Sequence, residues 1–216
     1  MGTIAIVIGA TGLVGGPLTE QLVATDNISK VIAITRRPIE HPSTKIDNNV
    51  VNFDQLEECA TLFRADFLFS CLGTTRKQAG SHAAQRRVDL DYQYKAAQLA
   101  ADMGVNHYLL VSSSGADVNS RNPYLKMKGE LEQKIKTLPF KRISIFQPSL
   151  LLGSRKDFRI GEKLGSWVLP SLCSLPGLRR FRPVTGQQVA AKMVQVSQQP
   201  GQTREWFQLD EIFIKR

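Results

Sequence analysis

Cysteine is scarce and irregular in this chain. Cys59, Cys71 and Cys173 are odd in number, widely spaced and without a CxxC pair. This excludes a disulfide framework and predicts buried thiols in a reducing, cytoplasmic compartment. The three histidines, His41, His82 and His107, fall in no metal-ligand spacing, so no metal is expected. No run reaches the ~18 uninterrupted apolar residues of a membrane span, so no transmembrane segment is expected. The opening stretch MGTIAIVIGA lacks a basic n-region. Ile6 also occupies the place where a myristoylation signal needs Ser or Thr, so neither secretion nor N-myristoylation is expected. Acidic residues are in deficit, 19 against 28 Lys plus Arg, for a net charge of +9. That excess suits an anionic partner: nucleic acid, a membrane surface or a phosphorylated ligand. The basic residues are scattered in pairs, such as Arg36-Arg37, Arg76-Lys77 and Arg86-Arg87. With no RNP, zinc or basic-aromatic motif beside them, no specific nucleic acid is expected.

What is present is a globular chain of 216 residues with 42% hydrophobic and 22% charged residues. Short apolar runs predict strands at Thr3 to Ile8, Lys30 to Thr35, Val50 to Phe53, Phe67 to Leu72, His107 to Ser112 and Arg142 to Phe146. Amphipathic stretches between them predict helices at Leu13–Ala24, Gln55–Phe63, Arg87–Met103 and Tyr124–Leu138. This alternation specifies an α/β fold, a doubly wound parallel sheet in the order 3-2-1-4-5-6 with helices on both faces. After Pro148 the pattern is mixed. Thr185-Gly-Gln-Gln188 has the form of a capping box and predicts a helix to about Gln198. Glu205 to Ile214 reads as β-like. Residues 1–216 are therefore expected to form a single domain, with 150–216 as a substrate-side extension sharing its core. Within it, Trp167 to Leu175 is an apolar stretch between basic clusters. An ordinary packed helix is the plain reading; a lid, a partner surface or a membrane contact are its rivals.

Gly9-Ala-Thr-Gly12-Leu-Val-Gly15 follows the first strand directly and opens the first helix. That order is what a dinucleotide phosphate loop requires. One glycine makes the tight turn, one lets the backbone approach a pyrophosphate and one lets helix pack on strand. The helix N-terminus then presents free N–H groups and a positive dipole end. Gly9, Thr11, Gly12, Leu13, Val14 and Gly15 are accordingly expected to bind the cofactor. NAD binders place a carboxylate at the end of the second strand for the ribose hydroxyls. Here that strand ends Ile34-Thr35-Arg36-Arg37. Guanidinium forks suit a 2′-phosphate, so Arg36 and Arg37 predict NADP(H).

The fifth strand runs into Ser112-Ser113-Ser114, and Tyr124 and Lys128 follow at i,i+4 spacing, on one helix face. A free phenol, with pKa ~10, is a poor base at neutral pH. A lysine ammonium one turn away favours the phenolate. A YxxxK pair has little specificity alone; after a phosphate loop and a strand-end serine it has much more. A serine hydroxyl would hold a substrate carbonyl oxygen against the tyrosine. Neighbouring serines point to opposite faces of an extended strand, so Ser112, Ser113 and Ser114 all remain open.

Taken together, the chain resembles an atypical short-chain dehydrogenase/reductase. More closely, it is similar to the family of the human HIV-Tat-interacting oxidoreductase. GATGLVG at 9–15, ITRRP at 34–38, CLGTTR at 71–76, VDLDY at 88–92, SSSGAD at 112–117, YLKMKGELE at 124–132 and FQPSLLLG at 146–153 carry the likeness. The resemblance implies a Rossmann-type domain that binds NADPH. It implies Ser113, Tyr124 and Lys128 as catalytic hydroxyl, acid/base and supporting cation. It also places Leu72 and Gly73 on the adenosine side and Pro148 to Leu150 beside the nicotinamide. Two positions depart from the family: Gln147 replaces a frequent arginine before the proline, and Asn52 replaces an acid that meets the adenine. The function expected is NADPH-dependent hydride transfer to or from a small carbonyl substrate, by a monomer or homodimer. The rivals are an NADPH-binding redox sensor with little turnover and a nucleotide-sugar epimerase or dehydratase. The short C-terminal region argues against a full nucleotide-sugar site.

Overall fold

The computed structural model describes residues 2–152, 180 and 182–214. The run Thr3–Ile8 forms β1, and Ala5, Ile6, Val7 and Ile8 have no exposed surface. A strand apolar on both faces needs cover on both, which is the condition of an inner strand in a parallel sheet. β2 (Ile28–Thr35), β3 (Ile46–Val50), β4 (Phe67–Ser70), β5 (His107–Val111) and β6 (Arg142–Gln147) pair parallel around it. The order is β3-β2-β1-β4-β5-β6, as the alternation predicts. β7 (Leu151–Leu152) and β8 (Val184–Thr185) form a separate short parallel pair. β9 (Arg204–Gln208), from the β-like C-terminal segment, adds a further parallel strand outside β6.

Helices cover both faces. α1 (Gly15–Val23) bears Leu18 and Leu22 onto Ala5, Val7 and Ala33 of the sheet. α2 (Arg76–Ala79) and α3 (His82–Arg86) are short, and lead through a π turn at Arg87–Asp91 into α4 (Tyr92–Asp102). α4 and α5 (Pro123–Lys136) cover Ile6, Ile8 and Tyr108 on the opposite face. α6 (Gly186–Gln198) returns to the first face beside α1 with Val189, Ala190 and Met193. Thr185 and Gln188 form the expected reciprocal cap at its start.

Three local expectations need correction. The third strand is Ile46–Val50, not Val50 to Phe53. It is an edge strand whose centre is the half-exposed polar run Asp47-Asn48-Asn49, so it lacks the apolar run that marks buried strands. Gln55–Phe63 is not an α-helix but part of a 3-10 stretch, Phe53–Phe63, with non-helical backbone at Gln55 and Cys59. The helix expected over Arg87–Met103 opens with the π turn at Arg87–Asp91 and is α-helical only from Tyr92 to Asp102. The Trp167–Leu175 stretch lies outside the described residues.

Candidate active site

The phosphate loop is built by steric exclusion. Gly9 has φ of +83°, and a Cβ there would lie 2.6 Å from the Cys71 carbonyl carbon. A Cβ on Gly15 would lie 2.1 Å from the Gly9 oxygen. Only glycine satisfies both positions. The Gly12 amide donates to the Gly9 carbonyl at 2.9 Å, which closes the turn. Pro17 falls in the first turn of α1, where its missing N–H costs nothing. α6 clamps the loop from behind: a Cβ on Gly186 would lie 1.9 Å from the Leu13 carbonyl oxygen.

Beside the loop, across the carboxyl ends of β1, β2 and β4, runs a cleft of about 1200 Å³. Gly9, Thr11, Gly12, Arg36, Arg37, Asn52, Leu72 and Gly73 line it, so most of the sequence-predicted cofactor residues converge here. The glycine cradle and the volume of this groove fit a dinucleotide. Val14 instead packs in the core, and Gly15 is buried at the helix start. The Asn52 side chain is already engaged: its oxygen accepts from the Asp54 amide at 3.0 Å, and its nitrogen donates to Gln55 at 2.7 Å.

Ser113, Tyr124, Lys128 and Pro148 do not line this groove; Tyr124 and Lys128 stand on α5, and Ser113 and Pro148 on the loops after β5 and β6. Asn122 caps that helix by accepting from the Tyr124 and Leu125 amides. The serine loop is tied to it by the Asp117 amide, which donates to the Leu125 carbonyl at 3.2 Å. Gly129 permits this approach, since a Cβ there would sit 2.4 Å from the Asp117 backbone. The Pro148 carbonyl accepts from the Ser114 amide at 3.0 Å and so holds the loop from the β6 side. Lys128 Nζ lies 5.9 Å from the centre of the Tyr124 ring.

The three serines are no longer equivalent. Ser112 is buried, and its hydroxyl donates to Glu132, which also accepts from Gln147 at 2.8 Å. Gln147 thus links Glu132 to Gln208 of β9, whose side-chain nitrogen donates to Gln147 at 2.9 Å. Ser113 is only half-buried, and its hydroxyl makes one long contact, 3.4 Å to the Ser114 carbonyl. Of Ser112 and Ser113, only Ser113 has a hydroxyl to spare.

The residue that sequence reasoning missed is Asp89. It is fully buried, 3.2 Å from Lys128 Nζ, and accepts from the Thr74 amide at 3.0 Å. A Gly73 Cβ would face it at 3.6 Å. Asp89 therefore couples the Tyr124–Lys128 pair to the wall of the cleft. Burial alone would pull the Lys128 ammonium down, but Tyr124, Asp89 and Glu132 together push it up, so the charge is retained. Cys71, half-buried on the cleft wall, has its thiol pushed up to about 12 by burial, against the opposing pull of Lys128. The signal for Asp89 was its place in VDLDY, an acid inside an apolar helical pattern.

Comparison with known proteins agrees with this geometry. A family model described as NAD(P)H-binding matches residues 9–153. Protein HTATIP2 of Rattus norvegicus is 41% identical over 170 residues, 77% of this chain and 70% of the relative. The mitochondrial protein FMP52 of Candida glabrata is 37% identical over 204 residues, 90% of this chain and 85% of the relative. The structure of MoeE5 in complex with UDP-glucuronic acid and NAD superposes with a TM-score of 0.72 at 14% identity, covering 95% of this chain and 75% of that one. At that identity the likeness shows the fold. The cytoplasmic expectation is corrected by the relatives, several of which carry mitochondrial names. Unpaired thiols mark a reducing compartment, and the cytoplasm is not the only one.

Proposed function

Because the chain belongs to the NAD(P)H-binding family and, within it, to the atypical short-chain dehydrogenases/reductases related to HTATIP2, we propose that it is an NADP(H)-dependent oxidoreductase acting on a small carbonyl compound. The observation that carries this reading is the half-buried Tyr124 beside the buried Lys128–Asp89 pair, which is tied to the wall of a dinucleotide groove through the Thr74 amide. A lysine held charged without solvent, one helical turn from a phenol, has a purpose in acid–base chemistry that a surface pair lacks.

The amides at the start of α1 would hold the pyrophosphate, and Arg36 and Arg37 the 2′-phosphate. When bound, the nicotinamide supplies or accepts the hydride. The chain's own part is the proton. The Tyr124 hydroxyl donates to the oxygen that becomes the alcohol. Lys128 steadies the resulting phenolate, and Asp89 steadies Lys128. The Ser113 hydroxyl donates to the same carbonyl oxygen and fixes its direction.

The test begins with NADPH and a panel of aldehydes and quinones, followed by loss of the reduced-nicotinamide absorbance. With any substrate so found, Tyr124→Phe should lower turnover by about 10²–10⁴-fold, the range of a lost general acid. NADPH affinity should barely change. Wild-type turnover by Tyr124→Phe would refute the assignment.

A further inference from the structure

We propose that Arg87 is a third anion-gripping side chain at the adenosine end of the groove, acting with Arg36 and Arg37 on the cofactor's 2′-phosphate. The inference rests on the NADP(H) reading and adds to it a residue from a different part of the fold.

Arg86 and Arg87 are adjacent but diverge. Arg86 turns away and pairs with Glu130 at 2.6 Å, on α5. Arg87, the first residue of the π turn, lines the groove together with Arg36, Arg37 and Asn52. Such insertions into a helix re-aim the side chains around them and are frequent at functional sites. The same turn directs Asp89 inward to Lys128.

Its position along the groove follows from a chain of contacts. Thr35 of β2 is level with Val50 of β3, so Arg36 and Arg37 leave the sheet beside Val51 and Asn52. The next side chain, Phe53, packs on the Tyr92 ring at a centroid distance of 5.5 Å. The Tyr92 hydroxyl donates to Asp54 at 2.7 Å, and Arg87 also acts on that hydroxyl. Arg87 therefore reaches the groove at the β2–β3 end, away from Tyr124.

The charges there are unbalanced. Among the described residues lining the groove, Asp54 is the one carboxylate, against three guanidiniums. The acid accepts from Tyr92, and the Asn52 amide is occupied locally. The excess of positive charge matches a phosphate monoester, which carries about −1.5 to −2 at neutral pH. The pyrophosphate is met elsewhere, by the glycine loop. An adenosine carrying only hydroxyls would bring no charge to offset this excess.

Calorimetric titration of NADPH, NADH and adenosine 2′,5′-bisphosphate into wild type, Arg36→Ala, Arg87→Gln and Arg87→Lys tests this. Arg87→Gln should weaken NADPH and the bisphosphate by about tenfold, the size of one charge-assisted hydrogen bond, and NADH by less than about threefold. Arg87→Lys should recover part of the loss. Thermal unfolding checks that the variants fold. If wild type binds NADH as tightly as NADPH, the NADP(H) reading itself fails. If Arg36→Ala loses the preference and Arg87→Gln keeps it, that reading survives and the role of Arg87 is overturned. Equal weakening of NADPH and NADH by Arg87→Gln would also overturn it, by making Arg87 a support of the groove wall.

Discussion

Asp89→Asn isolates the buried charge pair from everything the cofactor does. The side chain keeps its shape and an oxygen for the Thr74 amide, but loses its charge. Lys128 and Asp89 are 3% and 0% exposed and 3.2 Å apart, so water cannot replace the missing partner. Breaking such a pair from one side costs about 3–5 kcal/mol. Two details favour the lower end. The Asp89 oxygen facing Lys128 is not aligned for a hydrogen bond, and Glu132 supplies a second negative charge. A loss of about 3 kcal/mol, at ~2–4 °C per kcal/mol for a chain of this size, lowers Tm by roughly 6–12 °C. Lys128 is pushed up in the fold, so the pair's contribution is fully present below the unfolded lysine value of ~10.4 and fades above the folded one. Calorimetric or circular-dichroism melts at neutral pH therefore read it in full. Adding Lys128→Met should restore most of the stability, because an uncharged pair has nothing to desolvate, while turnover stays lost. An Asp89→Asn melt within about 2 °C of wild type would refute the claim that this pair is an intact buried ion pair.

Gly186→Ala should displace the Leu13 carbonyl, since the new Cβ would fall at 1.9 Å from it; titration should show weaker NADPH binding together with a lower Tm. Gly129→Ala, facing the Asp117 backbone at 2.4 Å, should shift the serine loop and reduce turnover more than cofactor affinity, which steady-state kinetics and titration separate. His107 is buried, bonded to Ser144 at 2.7 Å, and pushed down to about 3, chiefly by burial and also by Arg142. Its unfolded value is ~6.5, so the unfolded chain binds the extra proton first and stability falls as pH drops from about 6.5 towards 3. Urea melts across that window should show a loss of up to roughly 4 kcal/mol, and His107→Gln should flatten the slope.

Local information was enough for much of this protein. The glycine spacing of 9–15, the apolar run before it and the Tyr124–Lys128 interval each depend on residues close together in the chain, where backbone sterics and helical period leave few alternatives. The Thr185–Gln188 cap was legible for the same reason. β3 was displaced because an edge strand of Asp47, Asn48 and Asn49 carries no burial pattern to read. Only the tertiary structure shows that Ser112 is engaged, since its hydroxyl is taken by Glu132, twenty residues away, through a hydrogen bond no spacing rule specifies. The same holds for Asp89, whose partner Lys128 lies on another helix, and for Gly186, which meets the phosphate loop from the far end of the chain. Periodicity tells a residue which face of its own element it occupies. What lies against that face depends on how the sheet is ordered and how its layers close, and those contacts are what bring Asp89 to Lys128 and Glu132 to Ser112.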